Sequence, residues 1–190
     1  MPGNARRVFH IADDDAFALS LRWSAPPLIW RQVALVEASA PARLTVPAHG
    51  IPDGWFVKVE SVGGMREINE TGWQRATVLD ANVIELNRVN ASRFHRYHDG
   101  GVVKFLTPVD LQGMTISASL KDRPGEAAFL ELTQGAGVTA DVGLSAIHVL
   151  ATLDALREAK RSRFVVDIDA IGADGVNRHV FTGFVSRERT

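Results

Sequence analysis

Residues 114–121 alternate without interruption: Met114, Ile116, Ala118 and Leu120 interleave with Thr115, Ser117, Ser119 and Lys121. A repeat of two throws successive side chains to opposite faces of an extended chain, so this segment buries one face only as a β-strand. Asp122-Arg123-Pro124-Gly125 follows as a β-turn, and Ala128, Leu130 and Leu132 begin the next strand. The same period marks Phe17, Leu19, Leu21 and Trp23 against Ala18, Ser20 and Arg22, and Trp55, Val57 and Val59 against Phe56, Lys58 and Glu60. Shorter faces come from Leu44 with Val46, Ala76 with Val78, and Ile84 with Leu86. Phe164, Val166, Ile168 and Ala170 make a further strand, which Gly172-Ala173-Asp174-Gly175 turns into the last one, Asn177 to Arg187, as a hairpin. A single short helix is predicted, capped by Thr152 and running through Lys160 on good formers such as Leu153, Ala155, Leu156 and Glu158. The chain reads as mainly β.

Turn chemistry divides these strands. His49-Gly50-Ile51-Pro52-Asp53-Gly54 is dense in turn formers, and Gly63-Gly64 turns the chain again. Ala25-Pro26-Pro27 breaks the first strand pattern, because proline lacks the ladder donor. Thr107-Pro108-Val109-Asp110-Leu111-Gln112-Gly113 is a second break. Each strand face between these breaks is too small to hold alone, whereas five or six strands closed on themselves share one core. With 190 residues the chain makes one ordinary domain or two small ones. Asp13-Asp14-Asp15 reads as a solvated connection that keeps the adjoining edge from pairing with other chains, rather than as a metal cluster.

Composition excludes several classes of function. A formal net charge of −1 argues against a dedicated nucleic-acid binder. No apolar run approaches the roughly 20 residues that span a bilayer, so no membrane partner is expected. The first residues, MPGNARRVFHIADDD, lack the apolar segment of a signal peptide. Without cysteine there are no disulfides or thiolate metal sites, which fits a reducing cytosol.

Few residues could carry chemistry. His95 and His98 are three apart, but they lie between β elements beside Asp99-Gly100-Gly101, with no third ligand in view; an exposed, moderately basic loop is the expectation. Asp167 and Asp169 share a strand face and could do acid–base work, but a solvent-facing position opposite Val166 and Ile168 accounts for them. Asp174-Gly175 lacks the alternating oxygens of a calcium loop, and Gly63-Gly64-Met65 lacks the Lys-Ser/Thr of a phosphate loop. Ser145 lacks the closing glycine of a nucleophile elbow. No catalytic residue, metal or cofactor is therefore expected. Trp30, Trp55 and Trp73 either fill cores, anchor a partner or stack on a sugar.

Two resemblances add to this. The "HG-x-x-x-G" of His49–Gly54 and the "GGM-x-x-I-N" of Gly63–Asn69, with Ala76–Val78, Asn82–Leu86 and Tyr97 ahead of Asp99–Val102, resemble small β modules of phage proteins. Those modules look like the first catalytic-cysteine half-domain of ubiquitin-activating enzymes, a small barrel; with no cysteine here, none of the thioester chemistry carries over. The pieces FALSLRW, TPVDLQGMTISASLKDRPG, FLELT, FVVDIDAIGADG and HVFTGFVS are similar to the N-terminal β-sandwich of upper baseplate proteins of tailed phages. Phe164-Val165-Val166-Asp167 stands where that family usually has Val-Tyr-Asp-Leu. Together the resemblances imply an antiparallel β-sandwich of residues 1–31 and 107–190, interrupted by an inserted small β-barrel of residues 32–106; tandem domains are the alternative. They imply a non-enzymatic structural component of the virion, in the tail, neck or baseplate, assembled in the host bacterial cytoplasm. Its partners would be other phage virion proteins and copies of itself in a symmetric assembly. A receptor- or carbohydrate-binding adhesin is the rival. In either case the barrel tip, with Ile51 and Trp55 as anchors and Arg93, Arg96 and Tyr97 beside them, is the candidate interface.

Overall fold

A computed structural model describes residues 7–188. Strands take 55% of the chain and helix 7%, against roughly 20–25% and 30–35% in an average globular protein, so the fold is mainly β. Contacts divide the chain into two compact units: the described parts of Met1–Trp23 and Asp110–Thr190, and Ser24–Val109 between them in sequence. The first unit opens with β1 (Arg7–Ala12) and β2 (Phe17–Arg22). The second holds β3 (Ser24–Gln32), β4 (Leu35–Glu37), β5 (Ala42–Thr45), β6 (Phe56–Val62), β7 (Trp73–Val78), β8 (Val83–Leu86) and β9 (Gly100–Pro108), with a 3-10 turn at Arg66–Glu70. The chain then returns to the first unit for β10 (Thr115–Lys121), β11 (Ala128–Gln134), β12 (Gly137–Asp141), β13 (Ala146–Ala151), α1 (Leu153–Ala159), β14 (Arg163–Ile171) and β15 (Asn177–Glu188).

Each unit has one sheet, and both sheets curl, one nearly to a closed barrel and one to a half-barrel. In the first unit the strand order is β1-β15-β14-β10-β11-β12-β13-β2. Pairing is antiparallel except for β1 with β15 and β11 with β12. The two edges, β1 and β2, are neighbours in sequence, joined by the turn that carries Asp13-Asp14-Asp15. Curling brings opposite halves of the sheet face to face: Phe17 on β2 meets Phe164 on β14 edge-on, with ring centroids 5.9 Å apart. Phe9 on β1 reaches Phe17 at 6.1 Å. Ile116, Ala118 and Leu120 of β10 and Val166, Ile168 and Ala170 of β14 are buried, the faces that alternation assigns inward.

Helix α1 forms where expected. The Thr152 side chain accepts a hydrogen bond from the Ala155 amide at 3.4 Å, and Lys160 adopts the left-handed conformation that ends the helix. Beside it, the Arg187 side chain of β15 is only 4% exposed. Its guanidinium donates to the carbonyls of Leu156 at 3.3 Å and Arg161 at 3.5 Å, and to that of Asp13. One cation thus joins the end of α1, the following loop and the β1–β2 turn to the last strand.

The second unit has the order β3-β9-β6-β7-β8-β5-β4, all antiparallel. Here again the edges, β3 and β4, follow one another in the chain. Its core gathers Leu44, Trp55, Val57, Met65, Ile68, Ile84, Leu86, Val103 and Phe105 among others. Residues 24–31, assigned from sequence to the sandwich, belong to this unit as β3. The expected break at Pro26-Pro27 is a bulge: the β3–β9 register shifts between Ala25 and Leu28, and an edge strand tolerates the missing donors. Gly64 shows why the Gly63-Gly64 turn needs glycine. It sits at φ +79°, and a Cβ there would lie 2.2 Å from the Arg96 carbonyl oxygen.

Candidate functional site

The outer face of β3, β9, β6 and β7 is built by the same alternation that fills the core beneath it. Val57 and Val59 point inward, so Phe56, Lys58 and Glu60 point out. Register does the rest. Trp30 pairs with Lys104, Lys104 with Lys58, and Lys58 with Trp73, which places two tryptophans at the ends of a row with two lysines between them. At a strand spacing of roughly 4.8 Å the row is about 14 Å long. One step along, Leu28 pairs with Leu106 and Phe56 with Arg75. Trp30 is 51% exposed, Phe56 53% and Trp73 46%, with Leu28 and Leu106 exposed beside them. Five large apolar side chains on one sheet face make a patch of the kind that marks an interaction site.

Cations are fixed among these rings. Lys104 Nζ stands 5.2 Å from the Trp30 ring centroid, and the Arg75 guanidinium 5.3 Å from that of Phe56. Glu60 takes Lys104 Nζ at 2.6 Å and Lys58 Nζ at 2.8 Å. Hydrogen bonds from Lys104 and then Lys58 hold the Glu60 carboxyl below the usual carboxylate range. Two lysines, one arginine and one glutamate leave the face positive. It can take up a surface that offers apolar groups and carboxylates together.

The residues expected at the interface divide differently. Ile51 and Trp55 are each 4% exposed, so neither is a surface anchor. Trp55 leads into the inward face of β6 and its indole Nε1 donates to the Leu106 carbonyl at 3.0 Å, which satisfies the ring's polar atom inside the core. Ile51 is seated by the turn before it: His49, itself buried, accepts the Ile51 amide on Nδ1 and approaches the Asp80 carbonyl with Nε2 at 2.9 Å. Arg93 and Arg96 are exposed. Tyr97 is half-buried against the core, and its hydroxyl donates to the Gly100 carbonyl at 3.0 Å. The five therefore form no common patch. Of the three tryptophans singled out by sequence, Trp30 and Trp73 are exposed and Trp55 is core.

The other constellations resolve as well. His95 Nδ1 meets Glu67 at 2.5 Å and His98 Nδ1 meets Asp99 at 2.9 Å, so the two imidazoles face different carboxylates. Among the described residues no three His, Cys, Asp or Glu side chains converge to hold a metal. Ser145 is buried in the turn before β13. Asp167 was expected to face solvent, but its side chain is only 12% exposed. It accepts from Lys121 Nζ at 3.0 Å and from the Thr182 hydroxyl at 2.6 Å. Thr182 Oγ1 also lies 2.8 Å from His179 Nε2, whose Nδ1 is 3.0 Å from Asp169. Hydroxyl, imidazole and carboxylate stand at the distances of a nucleophile relay. They lie on a sheet face, however, where the neighbouring strands take up the β14 amides, and the hydroxyl proton is directed at Asp167. The chain of groups links β10, β14 and β15 as a surface network.

The Trp30–Trp73 row left a partial signal in the sequence. Alternation in β6 shows Phe56 and Lys58 facing out, but only the pairing of four strands distant in sequence brings Trp30, Lys104 and Trp73 alongside. No protein-family model matches the chain, and no curated protein matches it.

Proposed function

We propose that the protein is a non-enzymatic structural component of a tailed-phage virion, and that the Trp30–Lys104–Lys58–Trp73 face of its second unit is the main contact with neighbouring virion proteins. One observation carries the reading: three aromatic rings and two leucines are held exposed on a single rigid sheet face, with cations fixed beside the rings. Aromatic residues and arginine are the groups that interfaces concentrate, and strands hold them with little conformational freedom left to lose on docking. The assignment to the virion rests on the resemblance to upper baseplate proteins, supported by a fold made of two curled sheets.

The test has two parts. Mass spectrometry of purified particles, comparing intact virions with separated heads and tails, should find the chain in tails. Trp30→Ala/Trp73→Ala and Lys104→Glu variants should remain folded yet fail to enter particles. Normal incorporation of both variants would refute the assigned face. Saturable binding of the isolated chain to host cells or glycans, lost in the tryptophan variant, would replace the structural reading with that of an adhesin.

A further inference from the structure

The first unit carries a second site, unrelated to the aromatic face. The register of β1, β15 and β14 sets Val8 beside Phe184 and Phe184 beside Val165, a row of three apolar side chains on one side of the sheet. The β10–β11 turn, with Arg123 and Pro124, borders this row, and together they line an open cavity of about 440 Å³. That volume lies within the roughly 300–1,000 Å³ of small-ligand sites. Val8, at one end of the row, remains 50% exposed, while Phe184 is half-buried and Val165 buried behind it.

Charge at the rim is unbalanced. Asp122 lines the cavity but is engaged by Arg161 Nε at 2.7 Å, and Glu188, beside it, is engaged by the lining residue His10 at 2.6 Å. Both carboxylates near the opening are thereby committed. Arg123 and Arg163 line the same cavity, and neither forms an ion pair among the described residues. An apolar floor with two uncommitted guanidiniums at its edge selects an apolar group that carries an anion. A carboxylate suits them best, because the planar guanidinium fork matches it two bonds at a time. We infer that this cavity binds an apolar carboxylate, seating its hydrocarbon against Val8 and the edge of Phe184 and its carboxylate between Arg123 and Arg163. Either a free amphiphile or the C-terminal residue of a partner chain offers that chemistry.

The experiment is an amide NMR titration of the full chain with octanoate, with n-octanol and acetate as controls for tail and charge alone. Octanoate should bind saturably, shifting the amides of Val8, Val165 and Phe184, while acetate does not. Arg123→Gln and Arg163→Gln should each weaken octanoate about tenfold and leave n-octanol unchanged. Both arginines are exposed, so these variants keep the fold, and the unshifted spectrum elsewhere verifies it. A peptide ending in free leucine, compared with its amide, separates the two sources: carboxylate-dependent binding of the peptide assigns the site to a partner terminus, and octanoate alone to a free amphiphile. The inference is overturned if octanoate shows no saturable shifts up to about 10 mM, a dissociation constant too weak for any specific site. It also falls if octanoate and n-octanol bind equally and neither variant matters.

Discussion

Replacing Trp55 separates the core tryptophan from the exposed ones, and the outcome can be worked from burial. Trp55 is 4% exposed and its Nε1 donates to the Leu106 carbonyl at 3.0 Å. Trp55→Ala removes a nearly fully buried ring together with its hydrogen bond to that carbonyl, which costs about 3–5 kcal/mol. Small units are stable by only about 5–15 kcal/mol, so a fifth or more of the stability goes. Trp55→Phe keeps most of the packing and loses the hydrogen bond, for about 1–2 kcal/mol. Trp30→Ala forfeits only the lysine–ring contact of a half-exposed side chain, about 0.5–1 kcal/mol. Urea unfolding followed by circular dichroism reads these differences. At a slope near 1.5 kcal/mol/M the Trp55→Ala midpoint of the second unit should fall by about 2–3 M, and that of Trp30→Ala by under about 0.7 M. If Trp30→Ala or Trp73→Ala shifts the midpoint as far as Trp55→Ala, the aromatic face is doing a core's work and is not free for a partner.

Three further outcomes follow from the same structure. Gly64→Ala should cost at least about 2 kcal/mol, because the new methyl meets the Arg96 carbonyl at φ +79°; Gly72→Ala, at φ +71° with open space around it, should cost about 1 kcal/mol in the same unfolding assay. Arg187→Met should destabilise the first unit by about 2–4 kcal/mol, since the carbonyls of Asp13, Leu156 and Arg161 lose a shared donor; faster amide exchange along β1 and β15 would locate the loss. Acid should weaken the fold: Glu60 is held low by Lys104 and Lys58, Glu67 by its own amide and His95, and Asp174 by Arg178 and the Val176 amide. Carboxyls depressed in the folded state contribute above their unfolded values, near about 4, and lose that contribution as pH falls through the folded ones. Urea midpoints should thus be level above about pH 5 and decline below about pH 4, less steeply in Glu60→Gln.

Strands whose two faces differ in polarity were legible in the sequence. The alternations of β2, β6, β10 and β14 mark which side chains face the core, although Ser119, Val165 and Asp167 on the opposite face are buried as well, and Thr152 marks the start of α1. Segments 7–12 and 137–151 gave no such sign, yet they form β1, β12 and β13. Their strand state depends on distant partners: β1 lies parallel to β15, and β13 is held between β12 and β2. The aromatic face was half legible for a related reason. Outward pointing is local, but adjacency across four strands is not, so Trp30 and Trp73 could be singled out without being placed together. Ile51 and Trp55 misled because turn-rich flanks suggest a tip, whereas the turn at His49 folds inward and delivers both to the core. Asp167 misled because the outer face of β14 is shielded there by Lys121 and Thr182.

The pairing of β1 with β15 has a consequence for how the molecule is made. Residues 7–12 are synthesised 176 residues ahead of the strand they pair with, residues 183–188. All strands of the second unit lie between residues 24 and 108, so that unit can complete its sheet while the first is still a fragment. Loop closure over so long a separation is slow relative to local pairing. The nascent chain therefore passes through a period in which one folded unit hangs between two unpaired stretches, with the Phe9 and Phe17 side chains lacking Phe164 and Phe181 to pack on. During that period the Asp13-Asp14-Asp15 run, sitting between those two strands, supplies the like-charge repulsion that discourages neighbouring nascent chains from sharing them.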